Sequence, residues 1–306
     1  MRRVLAVVVP FLCLLLIAPE AAAQDASPMA GGTPATSLLA GLGFPDLVGT
    51  TNGTTNDLPA SVAAGRYHVV LHNTNATNAV DLDFYMAPAG TSDADALAFY
   101  GQAVAAQAQM PDLFYKVTIP GGVSAAPNGT AEGIIDLKPG DGAWYAGFQI
   151  ESNDDNPGTG QAQALDITGT MPTVTDPTAA VTASLTEFAI DMPDSVPAGP
   201  QIWKVTNIGG TPHFLALAKS DGSLTQENVQ QMFGSFMGTP IPAGATPASF
   251  ETMQDFGGTG VLSPGQTMWI AFDLQPGQYM GACFLSGPGD TPIHAAMGMF
   301  KIFDAV

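Results

Sequence analysis

The strongest constraint on the fold is that the chain repeats itself. Leu58-Pro59-Ala60-Ser61-Val62-Ala63-Ala64-Gly65 aligns without a gap on Met192-Pro193-Asp194-Ser195-Val196-Pro197-Ala198-Gly199, an offset of 134 positions (58 to 192). The apolar run after each ends in asparagine, Tyr67 to Asn73 and Ile202 to Asn207. Ser92 with Asp95 then caps a helix-like stretch from Ala94 to Ala106, and Thr225 with Asn228 opens a similar one ending near Phe236. Asp136-Leu137-Lys138-Pro139-Gly140 finally matches Asp273-Leu274-Gln275-Pro276-Gly277. Landmarks in the same order at nearly constant spacing denote a duplication, so each half must build the same unit.

The grammar of that unit is that of β-structure. A Val-x-Ala-Gly turn leads into an apolar run (Arg66–Leu71; Ile202–Thr206), followed by an irregular middle with one short helix. Strand pairs flanking Pro-Gly close each copy, at 130–137 and 143–150, then at 266–274 and 278–285. Met268-Trp269-Ile270-Ala271-Phe272 alternates imperfectly, as a strand buried on both faces does. The implied fold is all-β, two tandem Greek-key β-sandwiches. Their expected bounds are 58–171 and 181–306, joined by a linker at 172–180 that holds Pro172 and Pro177. Residues 24–57, rich in Gly, Thr, Asn and Ala, carry little pattern and are expected to be irregular.

Residues 1–23 read as an export signal. Arg2 and Arg3 precede an apolar run from Val4 to Ile17, and Ala21-Ala22-Ala23 offers small residues for cleavage. That run is short for a bilayer span, and no other stretch qualifies, so a mature chain without a transmembrane segment is expected. Its expected location is periplasmic, cell-surface or secreted. Losing Arg2, Arg3 and Glu20 changes 8 Lys+Arg and 27 Asp+Glu to 6 and 26, a formal net charge of −20. Such a surface repels nucleic acid and anionic lipid. Cys13 leaves with the signal, and Cys283 remains as a lone thiol with no internal disulfide partner.

Cys283 stands in informative company. His213 lies in Asn207-Ile208-Gly209-Gly210-Thr211-Pro212-His213, just past an expected strand. Cys283 follows Pro276-Gly277-Gln278-Tyr279, and His294-Ala295-Ala296-Met297-Gly298-Met299-Phe300 precedes the last strand. An Asn-x-Gly-x-x-Pro-His segment resembles the first histidine ligand of plastocyanin-like members of the cupredoxin (blue, type 1 copper) family. Pro-Gly-x-Tyr-x-x-x-Cys with His-x-x-x-Gly-Met resembles their second half, and His294 to Phe300 is close to the rusticyanin pattern. The resemblance covers residues 181–306. It implies two cupredoxin-like sandwiches, the second binding one copper through His213, Cys283, His294 and, axially, Met299. It further implies an exposed edge of His294 as the electron exit, flanked by Pro292, Ile293, Ala295, Ala296 and Met297 as a docking patch. Ten residues separate Cys283 from His294, more than is usual in the family. They either loop out and return His294 to the site or mark a sandwich without copper.

The first half is an internal control. Aligning Tyr145 with Tyr279 puts Gln149 at the place of Cys283, and aligning Phe84 with Phe214 puts Asp83 at that of His213. His68 and His72 share one face of a strand and read as surface residues. The first half is thus expected to be a degenerate, cupredoxin-like sandwich without copper ligands. The leading functional expectation is an extracytoplasmic copper protein that carries electrons to and from a redox protein partner and is not an enzyme. The alternative is a copper-free binding or structural protein of the cell envelope. Copper oxidases and nitrite reductases need further histidines, and the chain has four.

Overall fold

The computed structural model describes residues 37–106, 110–151, 158–289 and 291–306. The expected export signal, residues 24–36 and Asp290 lie outside them. The protein is all-β, with each half built as two facing sheets. In the first half, β1 (Asp46–Thr51), β2 (Asn56–Asp57), β4 (Gly65–Asn73) and β7 (Thr130–Leu137) form one sheet in the order β2-β1-β4-β7. It faces β3 (Ser61–Ala63), β5 (Val80–Ala87), β6 (Gly122–Ala125), β8 (Ala143–Ile150) and β9 (Thr159–Thr168), ordered β3-β9-β8-β5-β6.

The second half has the same plan. β10 (Val181–Thr186), β11 (Ala189–Asp191), β13 (Gly199–Asn207) and β16 (Thr267–Leu274) run β11-β10-β13-β16. Opposite lie β12 (Ser195–Val196), β14 (Ala216–Ser220), β15 (Met253–Gly258), β17 (Gly277–Ala282) and β18 (Phe300–Ala305), ordered β12-β18-β17-β14-β15. Strand for strand, the two orders coincide. Both helices form where caps were legible. Ser92 accepts from the Asp95 amide ahead of α1 (Asp93–Ala105), and Thr225 with Asn228 makes a full capping box on α2 (Gln226–Phe236).

The halves share one sheet. β7 pairs with β16 through Ile135 opposite Met268 and Ile134 opposite Trp269, which merges two four-stranded sheets into eight strands. Arg66 fastens this seam. Its guanidinium meets Asp136 at 2.6 Å and Asp176 of the connecting segment at 2.9 Å, and lies 4.2 Å from the centre of the Trp269 ring. Lys204 reaches Asp176 from the second half at 2.6 Å.

Three expectations need correction. Residues 46–51 and 56–57 are not irregular: β1 pairs in parallel along its whole length with β4, from Asp46 opposite His68 to Thr51 opposite Asn73, and β2 pairs back on β1. His68 is no surface residue: it is buried, with Nδ1 2.9 Å from Asp46 and Nε2 3.0 Å from Glu132. His72 is exposed, as read, and bonds Thr130. The control alignment also fails on its faces. A Cβ on Gly49 of β1 would meet Leu82, so Leu82 points at the facing sheet. Asp83, Tyr85 and Tyr145 point the other way, to α1, where they meet Tyr100, Ala96 and Asp93 respectively. Tyr279 instead stacks inside the second sandwich on Phe303. Gln149 and Asp83 therefore sit on the outer face of their sheet, and do not take the places of Cys283 and His213. The interior positions beside them, Leu82 and Phe148, are apolar.

Candidate metal centre

Three segments converge at one end of the second sandwich. The first leaves β13 at Asn207, which is fully buried. Its amide nitrogen donates to the carbonyls of Thr211 and Leu262, and its oxygen accepts from the Gly209 amide. Asn73, its counterpart in the first half, holds a loop in the same way, donating to the carbonyls of Asn78 and Ala125. The clamp fixes the turn that delivers His213. His213 then pairs its backbone with Leu262 in both directions, at 3.0 and 2.7 Å.

The second segment is the end of β17. The strand stops at Ala282, three residues before the expected Leu285, and Cys283 follows it. The amides of Phe214 and Leu285 donate to its sulfur. The third segment follows the ten residues after Cys283. They leave and return through a closed neck: His294 N–H donates to Leu285 at 2.7 Å, Ala295 N–H donates to Cys283 at 2.8 Å, and Ser286 bridges Ile293. Tyr115 of the first half donates its hydroxyl to the carbonyls of Ser286 and Gly287, at 3.1 and 2.9 Å. His294 thus returns on a 3-10 turn (His294–Met297) beside Cys283 despite the excursion.

The donor atoms form a tight triangle. Nδ1 of His213 lies 3.0 Å from Nδ1 of His294, and the Cys283 sulfur lies 3.9 and 3.7 Å from them. A point equidistant from the three atoms is ~2.1 Å from each, a bond length for a first-row metal with imidazole or thiolate. All three side chains are buried, His294 being only 2% exposed. Burial pushes both imidazoles down to about 4, the neighbouring His213 adding to the effect at His294. Burial pushes the Cys283 thiol up to about 12 against the two amides. At neutral pH the imidazoles are therefore uncharged and ready to bind, and the thiol holds its proton. With two imidazoles and a soft sulfur, the donor set fits copper.

Met299 is fully buried, and its backbone ties the other residues together. Its N–H donates to His294 at 2.9 Å and its carbonyl accepts from Cys283 at 3.2 Å. The expected exposed edge of His294 is absent. Phe188, at the tip of the β10–β11 hairpin with a φ of 63°, sets its ring edge-on over His294 at 5.8 Å. Glu187, beside it, lies 3.9 Å from Nε2 of His213 and is held by the amides of Gly210 and Thr211. Of the expected docking patch, Ala295 is fully buried, and Pro292, Ile293, Ala296 and Met297 are half-buried. Sequence reading missed Glu187, Phe188 and Tyr115, because each reaches the centre from a distant strand or from the other half. The only local sign was the Glu187-Phe188 turn between short apolar runs.

No family model matches the chain, and no curated protein matches it. Among solved structures, the chain is similar to dithionite-reduced auracyanin from the photosynthetic bacterium Roseiflexus castenholzii, at 20% identity over 41% of this chain and 94% of that one, with a TM-score of 0.27. It is similar also to auracyanin A, a "blue" copper protein from Chloroflexus aurantiacus, at 15% identity over 41% and 99%, with a TM-score of 0.23. Lac15 from a marine microbial metagenome matches at 15% identity over 78% and 61%, with a TM-score of 0.22. Likenesses this slight bear no weight on their own. Among the described residues, no helix is long and apolar enough to cross a membrane.

Proposed function

We propose that the second sandwich would hold one copper ion through His213, Cys283 and His294, with Met299 as a fourth, weaker ligand, and that the protein carries electrons outside the cytoplasm. The observation that carries this reading is the buried triangle of two Nδ1 atoms and one sulfur, with sides of 3.0, 3.7 and 3.9 Å. When bound there, copper supplies one-electron redox chemistry. The chain supplies rigidity. His213 is fixed by the Asn207 clamp and Leu262, Cys283 by the end of β17, and His294 by the closed neck. Residues held this firmly keep the same donor positions in both oxidation states, and burial excludes water.

The histidine inventory favours a carrier over an enzyme. His68 is engaged by two carboxylates and His72 lies exposed on β4, so neither can complete a second copper centre beside the first. Phe188 and Ile208, which are 43% and 61% exposed, give a redox protein partner an apolar landing at this end of the sandwich.

Cyclic voltammetry of the copper-loaded protein tests the function. One reversible one-electron wave, lost in Cys283→Ser, is expected. A folded, copper-loaded protein with only an irreversible wave would contradict the carrier role. Proton linkage gives a second check. Because only the thiol has a proton to lose near neutrality, binding should release about one proton per copper, and affinity should rise about tenfold per pH unit between about pH 5 and 8. Below the imidazole value of about 4 the slope should steepen, as both histidines charge and must then also release protons. Calorimetry in buffers of different ionisation enthalpy reads this directly.

A further inference from the structure

The first sandwich contains a buried cluster of oxygens that the copper centre does not use. It lies on the outer face of the β6–β5–β8 ladder, where Asp81 stands opposite Ser124 on one side and Gln149 on the other. Residues directly opposite in a ladder share a face, with Cβ atoms about 5 Å apart. Glu151, two residues past Gln149, shares that face, and its carboxylate accepts from the Ser124 hydroxyl at 3.3 Å. Asp83 occupies the next row and already accepts from the Tyr100 hydroxyl at 2.8 Å.

Asp81 and Gln149 are each 1% exposed, and among the described residues Oδ1 and Oδ2 of Asp81 and Oε1 of Gln149 have no partner within hydrogen-bond distance, Ser124 and Glu151 being the side chains that interact with Asp81. A buried carboxylate left bare costs several kcal/mol, and a second carboxylate beside it adds repulsion. The Ser124 hydroxyl has a single proton, already directed at Glu151. One shared proton would relieve part of the charge but leaves bare oxygens without a donor, a deficit that a cation would make good. Successive residues of α1 meet Tyr145, Tyr85 and Asp83, so its C-terminal end, the negative pole of the helix, approaches the Asp81–Gln149 row.

We infer that Asp81, Gln149 and Glu151, with Ser124, form a binding site for a hard divalent cation of the calcium class. Carboxylate, amide and hydroxyl oxygens are the donors such an ion takes, and no soft ligand is present. The site is separate from the sulfur-containing centre in place and in chemistry. Burial first, then the charges of Glu151 and Asp83, hold the Asp81 carboxyl well above the usual carboxylate range, so protons compete with the cation.

Chelator-treated full-length protein is titrated with calcium chloride while thermal unfolding is followed, and with terbium(III) while luminescence is excited through tyrosine. At a hundredfold excess over Kd, calcium should raise Tm by on the order of 5–10 °C. Terbium luminescence should saturate at one site and be displaced by calcium. Asp81→Asn and Glu151→Gln, nearly isosteric changes, should each abolish both responses, while Cys283→Ser should leave them intact. Unchanged melting with no terbium signal would overturn the inference and leave a shared proton in the cluster. Responses that persist in both acid variants would overturn it too, assigning the ion to surface carboxylates.

Discussion

Cys283→Ser should lower the affinity for copper by on the order of 10³ or more while the protein remains folded, because it removes the one soft donor of the set. The change replaces a buried sulfur with a smaller oxygen in an unchanged cage. The amides of Phe214 and Leu285 that point at the sulfur can donate to the hydroxyl instead, so the folded state loses only about 1 kcal/mol. The two imidazoles stay 3.0 Å apart and continue to bind metal, but weakly and without thiolate character. Competition against a copper(I) chelator of known affinity measures the loss. Met299→Leu, by contrast, should change affinity by less than about tenfold, since a thioether is a weak donor beside a thiolate and two imidazoles. A loss of less than about tenfold in Cys283→Ser would mean that its sulfur is not a ligand.

Arg66→Met should cost about 3 kcal/mol of stability and separate the unfolding of the two halves. Arg66 is 6% exposed, forms two bonds to Asp136 at 2.6 and 3.1 Å, and reaches both Asp176 and the face of Trp269. Removing it strands a buried carboxylate, a change that costs about 3–5 kcal/mol. Lys138 stands 3.2 Å from Asp136 and offsets part of that charge, which places the effect at the low end of the range. Arg66→Lys should recover little, because one ammonium cannot reproduce a bidentate fork stacked on an indole. Adding Asp136→Asn to Arg66→Met should restore stability, since the stranded charge is then gone. In denaturant, the parent should unfold in one transition and Arg66→Met in two. A single unshifted transition would show that the β7–β16 seam holds without its arginine.

Much of this architecture was readable because the signals are local. The Val-x-Ala-Gly turns, the Ser92 and Thr225 caps and the Pro-Gly closures each specify their own few residues, and the structure places a strand or helix boundary within two residues of each. β1 was missed because Asp46-Leu47-Val48-Gly49-Thr50-Thr51 has weak strand preference and is held by parallel pairing to β4, a partner that sequence does not reveal. His68 was misplaced for the same reason: Asp46 and Glu132, which make its burial tolerable, come from two other strands. The orientation of the first sandwich was illegible because β5 and β8 are buried on both faces, so alternation does not tell inward from outward. That ambiguity put Gln149 at the place of Cys283 when it belongs to the face under α1.

The candidate metal centre was legible as a set of residue types, and the structure supplies how His213, Cys283 and His294 come together. Nothing in Phe284 to Ile293 announces that the segment closes on itself through Leu285, Ser286, Ile293 and His294, or that Tyr115 from the other half pins it. Phe188 is equally remote. A left-handed hairpin residue in β10–β11 covers the histidine edge that the resemblance leaves open.

The visible absorption spectrum of the wild-type chain titrated with copper(II) tests the central claim most directly. An intense thiolate-to-copper band that grows linearly and stops at one equivalent is the predicted result. A folded protein that takes up copper with no such band, or takes up none, would contradict the account.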